Sequence, residues 1–190
     1  LRECHELGKE LIVESRCEQL TEEKLSWATS INPSFTVAIG LEAYDDEVLR
    51  FHVNKGFTTK SWDRAVENLR KFNLRIKTYL MFKPPFMSEK DALDHGVRWI
   101  KDVAGRSDEI SVNPMNIQRG TVIDRLHRHN EYRPPWLWSL VEMIKQAHPH
   151  IYPDGGVNGS PDQVCRLIVH PTAGGKIRGA HNCGSCDKFV

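Results

Sequence analysis

The strongest constraint on the fold of this sequence is a repeating alternation between short apolar runs and amphipathic helical patterns. Apolar runs centred near residues 12, 39, 78 and 110 are each followed by a helix-like segment. Parallel strands require long crossover connections of this kind, whereas short turns join antiparallel strands. Both faces of a parallel sheet are usually covered, so its strands read as continuous apolar runs. The pattern predicts an α/β fold built on a parallel sheet.

The predicted elements divide the chain into two parts. Strands are expected at 9–14, 36–41, 74–82 and 108–113. Residues suited to capping helices precede the helical segments: Thr21, Asp45, Ser61 and Ser88. A further amphipathic helix begins near Trp136, and from His148 the chain becomes rich in Gly and Pro, with one strand-like run at 166–169. We therefore predict a partial barrel over 1–147 and an irregular, metal-binding extension over 148–190.

Composition and charge exclude several classes of protein. The 190 residues are 39% hydrophobic with a net charge of +1, which suits one soluble domain without an overall field for nucleic acid. The longest unbroken apolar run is Tyr79–Phe82, whereas a membrane-spanning helix needs about 20 apolar residues. An odd number of cysteines without a secretory signal predicts reduced thiols and a cytoplasmic protein. Residues 119–190 are net basic, a patch that either binds phosphate or is ordinary solvated surface.

Polar residues follow the carboxyl end of every predicted strand. Glu14–Arg16 follows the first strand and Gly40–Glu42 ends the second. Lys83 follows the third strand, and Asn113–Asn116 follows the fourth. In parallel α/β folds the loops at these ends converge on one rim, where ligands bind. One charged residue in such a place is usually the start of a solvated loop, but four together predict a ligand site.

Three potential metal ligands lie close together near the end of the sequence: His181, Cys183 and Cys186. Cys165 lies 18 residues before Cys183, a separation common between the two halves of a zinc site. These four residues predict a zinc site, with His170 as the competing fourth ligand. The alternatives are a redox pair or ordinary thiols.

An aromatic segment, Tyr132–Trp138, lies at the start of the last predicted helix. Its rings are suited to stacking on nucleic-acid bases. The interpretation we favour is a helix start at which at least one of Trp136 and Trp138 packs against the barrel wall.

Several longer motifs resemble one enzyme superfamily. Residues 40–49 and 53–57 resemble the fourth strand and following helix of radical S-adenosylmethionine (SAM) enzymes, particularly the branch that includes the Elongator catalytic subunit. Four further segments are similar to the archaeosine biosynthesis radical SAM proteins: Tyr79–Phe86, Ser111–Gln118, Glu131–Trp138 and Arg178–Cys183. The resemblance extends over nearly the whole chain.

This resemblance implies a partial (β/α) barrel that binds SAM and a four-iron, four-sulfur cluster. In the family, one electron from the cluster cleaves SAM to a radical that abstracts a hydrogen atom from the substrate. For the archaeosine branch, the implied substrate is a tRNA whose cyano-deazaguanine base has received a lysine. The implied reaction is a lyase step that leaves the amidine of archaeosine on the tRNA, and the implied partner is the lysine-transferring archaeosine synthase.

The resemblance also implies roles for residues on the predicted rim. Glu14 matches a glutamate that accepts hydrogen bonds from the SAM ribose, and Thr78 lies where a further ribose contact is expected. Glu42 corresponds to a residue near the methionine part of SAM, and Lys55 to a base that pairs with its carboxylate. Four other positions complete the expected site: Met115 and Asn116 beside the adenine, and Lys83 and Asn113 on the substrate side. The alternative for the three charged residues is a surface ion-pair set.

One feature of the family is missing from this sequence. The family holds its cluster with Cys-x-x-x-Cys-x-x-Cys, and no such spacing occurs here; Cys4 and Cys17 are interpreted as ordinary buried or partly buried thiols. By the resemblance, the chain begins just before the third strand of the barrel. We therefore expect a carboxyl-terminal portion that is inactive by itself and binds SAM weakly or not at all. Its first strand should expose an unpaired edge through which it self-associates or pairs with another chain.

Two other functions are compatible with the sequence. A stand-alone zinc-binding α/β module would bind tRNA or a protein partner without catalysis. An unrelated phosphate-binding barrel fragment is disfavoured, because the chain has no glycine-rich phosphate loop.

Overall fold

Five parallel strands form the sheet of the computed structural model, which describes residues 1–156, 163–169 and 180. The strands are β1 (Ile12–Ser15), β2 (Thr36–Glu42), β3 (Arg75–Phe82), β4 (Glu109–Pro114) and β5 (Arg166–Val169). They are hydrogen-bonded in the order in which they follow one another along the chain, as in the wall of a (β/α) barrel. The predicted α/β class with a parallel sheet is confirmed.

The sheet has one strand more than the four counted from the sequence pattern. β5 comes from the segment expected to be an irregular extension, and it pairs with β4 so that Arg166 lies opposite Glu109. At the other side of the sheet, β1 pairs with β2. Within the residues that the structure describes, β1 has no strand on its other side, as expected for the first strand. Ile12 on this strand is 54% exposed.

Helices connect the strands. They are α1 (Arg2–Glu6), α2 (Glu22–Ile31), α3 (Thr59–Lys71), α4 (Glu89–Ala104), α5 (Val122–Arg128) and α6 (Leu137–Ile151), with a 3₁₀ turn at Cys17–Gln19 and a π-helical segment at Val48–Val53. The sequence pattern does not predict α1 or α5, which are only 5 and 7 residues long. No helix in the described part of the chain combines the length and the apolar character needed to cross a bilayer.

Three of the four predicted helix caps act as expected. Thr21 and Ser88 each accept a hydrogen bond from the backbone N–H three residues later, and Asp45 caps the π-helical segment by accepting from the N–H of Val48 at 3.2 Å. The prediction for Ser61 was wrong. The N-cap of α3 is Thr58, whose N–H donates to the Ser61 hydroxyl at 3.4 Å, because Ser61 occupies the third helical position of a capping box.

Helices cover one face of the sheet and form the core with it. Side chains alternate between the two faces of a strand, and those of β3 at Ile76, Leu80 and Phe82 are buried beneath α3 and α4. Gly96 allows α4 to approach closely: a Cβ there would lie 3.0 Å from the sulfur of Met143 on α6 and 3.3 Å from the ring of Phe82. Among the described residues, the main core therefore lies on this side of the sheet.

The opposite face of the sheet is polar. Lys77 on β3 forms an ion pair with Glu109 on β4, and both side chains are less than 15% exposed. Arg166 on β5 lies 3.5 Å from the same Glu109 carboxylate. Because Tyr79 and Asn113 follow two and four residues further along these strands, they point to this same face. An open, charged sheet face thus leads to the carboxyl ends of the strands.

Candidate ligand site at the carboxyl edge of the sheet

A cavity of about 640 Å³ opens at the carboxyl ends of the first four strands. Its volume lies within the usual range for small-molecule sites, roughly 300–1,000 Å³. The polar side chains around it are Glu14, Arg16, Glu42, Lys55, Tyr79 and Asn113. The structure therefore brings together Glu14, Glu42, Lys55 and Asn113, four of the residues expected on the rim.

An ion pair occupies the end of β2. The ammonium of Lys55 lies 3.0 Å from Oε1 of Glu42, and the two side chains are only 18% and 19% exposed. Glu42 has φ of +71° and follows an irregularity in the pairing of β2 with β3. A non-glycine residue in this left-handed region is strained by on the order of 1–3 kcal/mol, and such strain is common at functional sites. The strained strand end turns the Glu42 carboxylate into the cavity.

Gly40 provides the space for this ion pair. A Cβ at this position would lie 3.0 Å from Oε1 of Glu42 and 3.1 Å from Nζ of Lys55. Any side chain would have to displace both charged groups. Since both atoms are the ends of flexible side chains, the fold can accept the displacement while the charged pair cannot keep its place.

The loop that carries Lys55 is held at both sides. The N–H of Lys55 donates to the carbonyl of Leu49 at 2.8 Å, which closes the π-helical segment. Arg16, at the end of β1, donates from Nη2 to the carbonyl of Lys55 at 3.1 Å. The charged groups of Arg16 and Lys55 lie 5.6 and 5.7 Å from the centre of the Phe57 ring. Cation–π contacts at this distance hold two positive charges on one side of the cavity.

Glu14 and Tyr79 form the opposite side of the cavity. The Tyr79 hydroxyl donates to Oε1 of Glu14 at 3.2 Å. Partial burial raises the pKa of Tyr79; the nearby Lys77 opposes this and the charge of Glu14 adds to it. Tyr79 therefore stays a protonated donor at neutral pH, and the other lone pairs of the Glu14 carboxylate are available to a ligand.

The charges of this cavity complement a zwitterion with hydroxyl groups. Lys55 and Arg16 offer cationic donors for a carboxylate, while Glu14 and Glu42 offer acceptors for an ammonium group or for hydroxyls. These groups suit the amino-acid and ribose parts of SAM. The missing side chain at Gly40 leaves room for the Glu42–Lys55 pair at the edge of this cavity, which is the second observation that fits such a ligand.

The structure does not bring Thr78 to this cavity. Thr78 is fully buried on the helix-covered face of β3 and shares a 2.8 Å hydrogen bond with Ser107. The two-residue alternation of a strand explains this result, because Thr78 must point away from the face that carries Tyr79. Thr78 therefore makes a buried contact between β3 and the end of α4, and it does not reach a ligand on the rim.

Three other expected residues lie near the rim but outside the main cavity. Met115 lines a smaller apolar cavity of about 200 Å³ with Met81 and His52, and the partly exposed Asn116 follows it. Lys83 lies in a third cavity, where its ammonium pairs with Glu89 at 2.6 Å. The two residues assigned to the substrate side, Lys83 and Asn113, thus line different cavities.

Five residues that line the main cavity were not predicted from the sequence: Ser15, Arg16, Ala38, Gly40 and Tyr79. Arg16 and Gly40 lie within the strand-end segments that were predicted to form the rim. The sequence did not indicate which groups each of them would contact. Tyr79 could have been predicted from the alternation of side chains along β3, because it lies on the same face of the sheet as Lys77.

Only one of the four predicted zinc ligands lies within the described residues. Cys165 is buried just before β5, and burial, with a smaller effect of Asp108, raises the pKa of its thiol to about 12. His181, Cys183 and Cys186 lie outside the described residues. Within residues 1–156, 163–169 and 180, no three His, Cys, Asp or Glu side chains are placed to hold a metal ion. The zinc site stays a prediction.

Within the described part of the chain, Cys4 and Cys17 are not grouped with other residues that could hold a metal ion. Cys17 is buried and Cys4 is partly buried, which confirms the interpretation of both as ordinary thiols. Burial raises the pKa of Cys17 to about 12, so without a bound metal it is a protonated thiol at neutral pH.

Comparison with curated proteins finds related sequences. The chain is 38% identical over 185 residues to a protein named archaeosine synthase subunit beta from Methanosarcina acetivorans, an alignment that covers 95% of this chain and 49% of the relative. The chain spans about half the length of the curated relatives that it matches. No family model matches the sequence.

Comparison with solved structures finds the same fold. The Elp3 protein of the archaeon Methanocaldococcus infernus superposes with a TM-score of 0.67 at 15% identity, over 90% of this chain and 38% of Elp3. A radical SAM methyltransferase, TsrM from Kitasatospora setae with cobalamin and a 4Fe–4S cluster bound, gives 0.52 at 14% identity, over 66% of this chain and 24% of TsrM. At these identities the likeness shows the fold alone.

Proposed function

We propose that this chain, a relative of the archaeosine-branch radical SAM proteins, forms the SAM-binding wall of a tRNA-modifying enzyme. The premise is that its sheet and helices form part of a radical SAM barrel. The whole protein would carry out the lyase step that converts the lysine adduct of the deazaguanine base to archaeosine. The observation that carries the proposal is the cluster of Glu14, Glu42 and Lys55 around one cavity at the carboxyl edge of the sheet. Homology to proteins named archaeosine synthase subunit beta supports the choice of tRNA as substrate.

In this proposal each charged residue binds one part of SAM. Lys55 and Arg16 pair with the carboxylate, and Glu42 accepts from the ammonium group and keeps Lys55 in place. Glu14, oriented by the Tyr79 hydroxyl, accepts hydrogen bonds from the ribose. Bound SAM supplies the hydrogen-abstracting chemistry of this enzyme class, and these residues fix its position relative to the substrate.

The iron–sulfur cluster has no ligands in this chain, so we assign no step of the reaction to residues that would hold it. A cluster in the working enzyme would be held by cysteines outside this sequence. A partner subunit is also part of the proposal, since the relatives carry the name subunit beta.

The proposed function is tested by replacing the chromosomal gene with one that encodes the Glu42→Gln variant. This change keeps the shape of the side chain but removes the charge that pairs with Lys55. We expect archaeosine in tRNA to fall at least tenfold while the lysine adduct of the base accumulates, as measured by mass spectrometry of tRNA nucleosides.

Glu67→Gln is the matched control, because Glu67 is an exposed carboxylate on α3, away from the cavity. It should leave both nucleosides at the wild-type level. Unchanged archaeosine in the Glu42→Gln strain, at normal protein abundance, would contradict the lyase proposal. Loss of archaeosine without accumulation of the adduct would place the enzyme at a different step.

A further inference from the structure

A separate cavity of about 410 Å³ opens beside the main one, between the loop after β3 and the segment that joins α5 to α6. Lys83 and Phe86 line it from the first loop, and Asn130, Glu131 and Arg133 line it from the second. The ring of Phe86 is 63% exposed. This cavity, here called the loop cavity, therefore combines an exposed aromatic ring with several charged and polar side chains.

A partly buried network fixes the walls of the loop cavity. Lys83 is only 7% exposed, and its ammonium pairs with Oε2 of Glu89 at 2.6 Å. The Tyr132 hydroxyl donates to the carbonyl of Lys83 at 2.8 Å, and the other Glu89 oxygen accepts from the N–H of Trp136 at the same distance. Two segments that are distant in sequence, 83–89 and 132–136, are thus tied together, so the loop cavity is preformed.

The backbone around the loop cavity is strained. Lys83, Phe86 and Asn130 have φ of +58°, +64° and +59°. Each such conformation costs a non-glycine residue on the order of 1–3 kcal/mol, and persists where the surrounding structure enforces it, often at binding sites. Lys83 and Phe86 at one cavity, supported by a partly buried ion pair, indicate a binding site more than an incidental notch, whereas Asn130 follows the end of α5, where Asn often takes this conformation.

The polar side chains at the mouth of the loop cavity are available to a ligand. Among the residues that the structure describes, Asn130, Glu131 and Arg133 make no hydrogen bond or ion pair with their side chains.

The chemistry of these side chains matches one type of base edge. A carboxylate accepts two adjacent hydrogen bonds, whereas guanidinium and amide groups donate. Of the RNA bases, guanine presents two adjacent donors, N1–H and N2–H, next to an acceptor, O6. Adenine and cytosine place an acceptor where the second donor would be needed.

We infer that the loop cavity binds a base with a guanine-type edge, unstacked from RNA. Glu131 accepts from the two adjacent donors of the base, Arg133 donates to its carbonyl oxygen, and the Phe86 ring stacks on its face. Recognition of splayed-out bases by aromatic stacking and edge hydrogen bonds is the usual mode for single-stranded RNA. The inference rests on the proposed tRNA substrate and adds to it the place and the residues of base selection. Phosphate is disfavoured in this cavity, because Glu131 and Glu89 both present carboxylates near it.

Titration of the isotope-labelled protein with GMP, IMP and AMP tests this inference by NMR. IMP is the matched ligand, since it differs from GMP only by the missing 2-amino group. We expect GMP to shift the amide signals of 86–88 and 130–133, with an affinity at least fivefold above that of IMP and with AMP weaker still. Glu131→Gln should weaken GMP binding at least tenfold and remove the preference over IMP, whereas Glu67→Gln should change neither.

Two results would overturn the inference: equal binding of the three nucleotides, or equal behaviour of Glu131→Gln and Glu67→Gln. The test also separates this inference from the proposed function. Glu131→Gln should leave SAM binding unchanged, because Glu131 does not line the main cavity. Selective GMP binding together with unchanged archaeosine in the Glu42→Gln strain would retain the base site and refute the proposed lyase function.

Discussion

The variant Lys55→Met is expected to bind SAM roughly 10- to 150-fold more weakly than the wild-type protein. A hydrogen bond to a charged group contributes about 1.5–3 kcal/mol, and each 1.4 kcal/mol is about tenfold in affinity. Methionine keeps the packing of the side-chain stem beside Phe57 but removes the ammonium that faces Glu42. It also leaves the Glu42 carboxylate without its partner, which disfavours an anionic ligand group further. Equilibrium dialysis with millimolar SAM measures the difference.

Lys60→Met is the control for the removed charge. Lys60 is exposed on α3 and does not line the main cavity, so its replacement should leave SAM binding at the wild-type level. Thermal unfolding of Lys60→Met should match that of the wild-type protein, whereas Lys55→Met should unfold at a lower temperature, because it leaves the largely buried Glu42 carboxylate without its partner. Equal SAM affinity of Lys55→Met and Lys60→Met would remove Lys55 from the site.

The second large effect concerns the outer edge of β1, which pairs with no other strand in the described part of the chain. We expect the protein to self-associate at about 100 µM, because unpaired strand edges promote pairing between chains. Ile12→Lys should lower the association constant at least tenfold, since Ile12 is 54% exposed on this strand and a charge there disfavours edge pairing. Sedimentation velocity over a range of concentrations measures the association.

Val141→Lys is the matched control for this effect. Val141 is similarly exposed, at 53%, but lies on α6, on the helical side of the sheet. Its replacement should leave the association unchanged. A wild-type protein that stays monomeric at all concentrations contradicts the prediction, and loss of association in Val141→Lys alone would assign it to α6 and not to β1.

The sequence was sufficient to predict the strands and the rim. Buried parallel strands must be apolar runs, and crossovers must be long, so both are visible in a single chain. The polar residues at the strand ends, among them Glu14 and Glu42, could be selected because all carboxyl ends of a parallel sheet lie at one edge. β5 was harder to count as part of the sheet, because its four residues follow a stretch rich in Gly and Pro.

The position of individual side chains around the rim depended on facts that the sequence pattern does not contain. Thr78 was expected at the rim, but it is the direct neighbour of Tyr79 on β3. Neighbouring residues of a strand point to opposite faces of the sheet. Lys83 leaves the end of β3 with a left-handed backbone conformation that no propensity predicts, and this directs it to Glu89 and the loop cavity. Arg16 acts partly through a contact with the backbone of Lys55, 39 residues away in sequence, and such a contact appears only once the chain has folded.

The central assignment is that the main cavity binds SAM. The decisive measurement is an NMR titration of the labelled protein with SAM up to millimolar concentration. We predict shifts of the backbone signals of Glu14, Gly40, Glu42 and Lys55 that follow one binding curve, and that are at least tenfold weaker in Lys55→Met. Shifts that occur elsewhere on the protein, or that are identical in Lys55→Met, would contradict the assignment of this cavity.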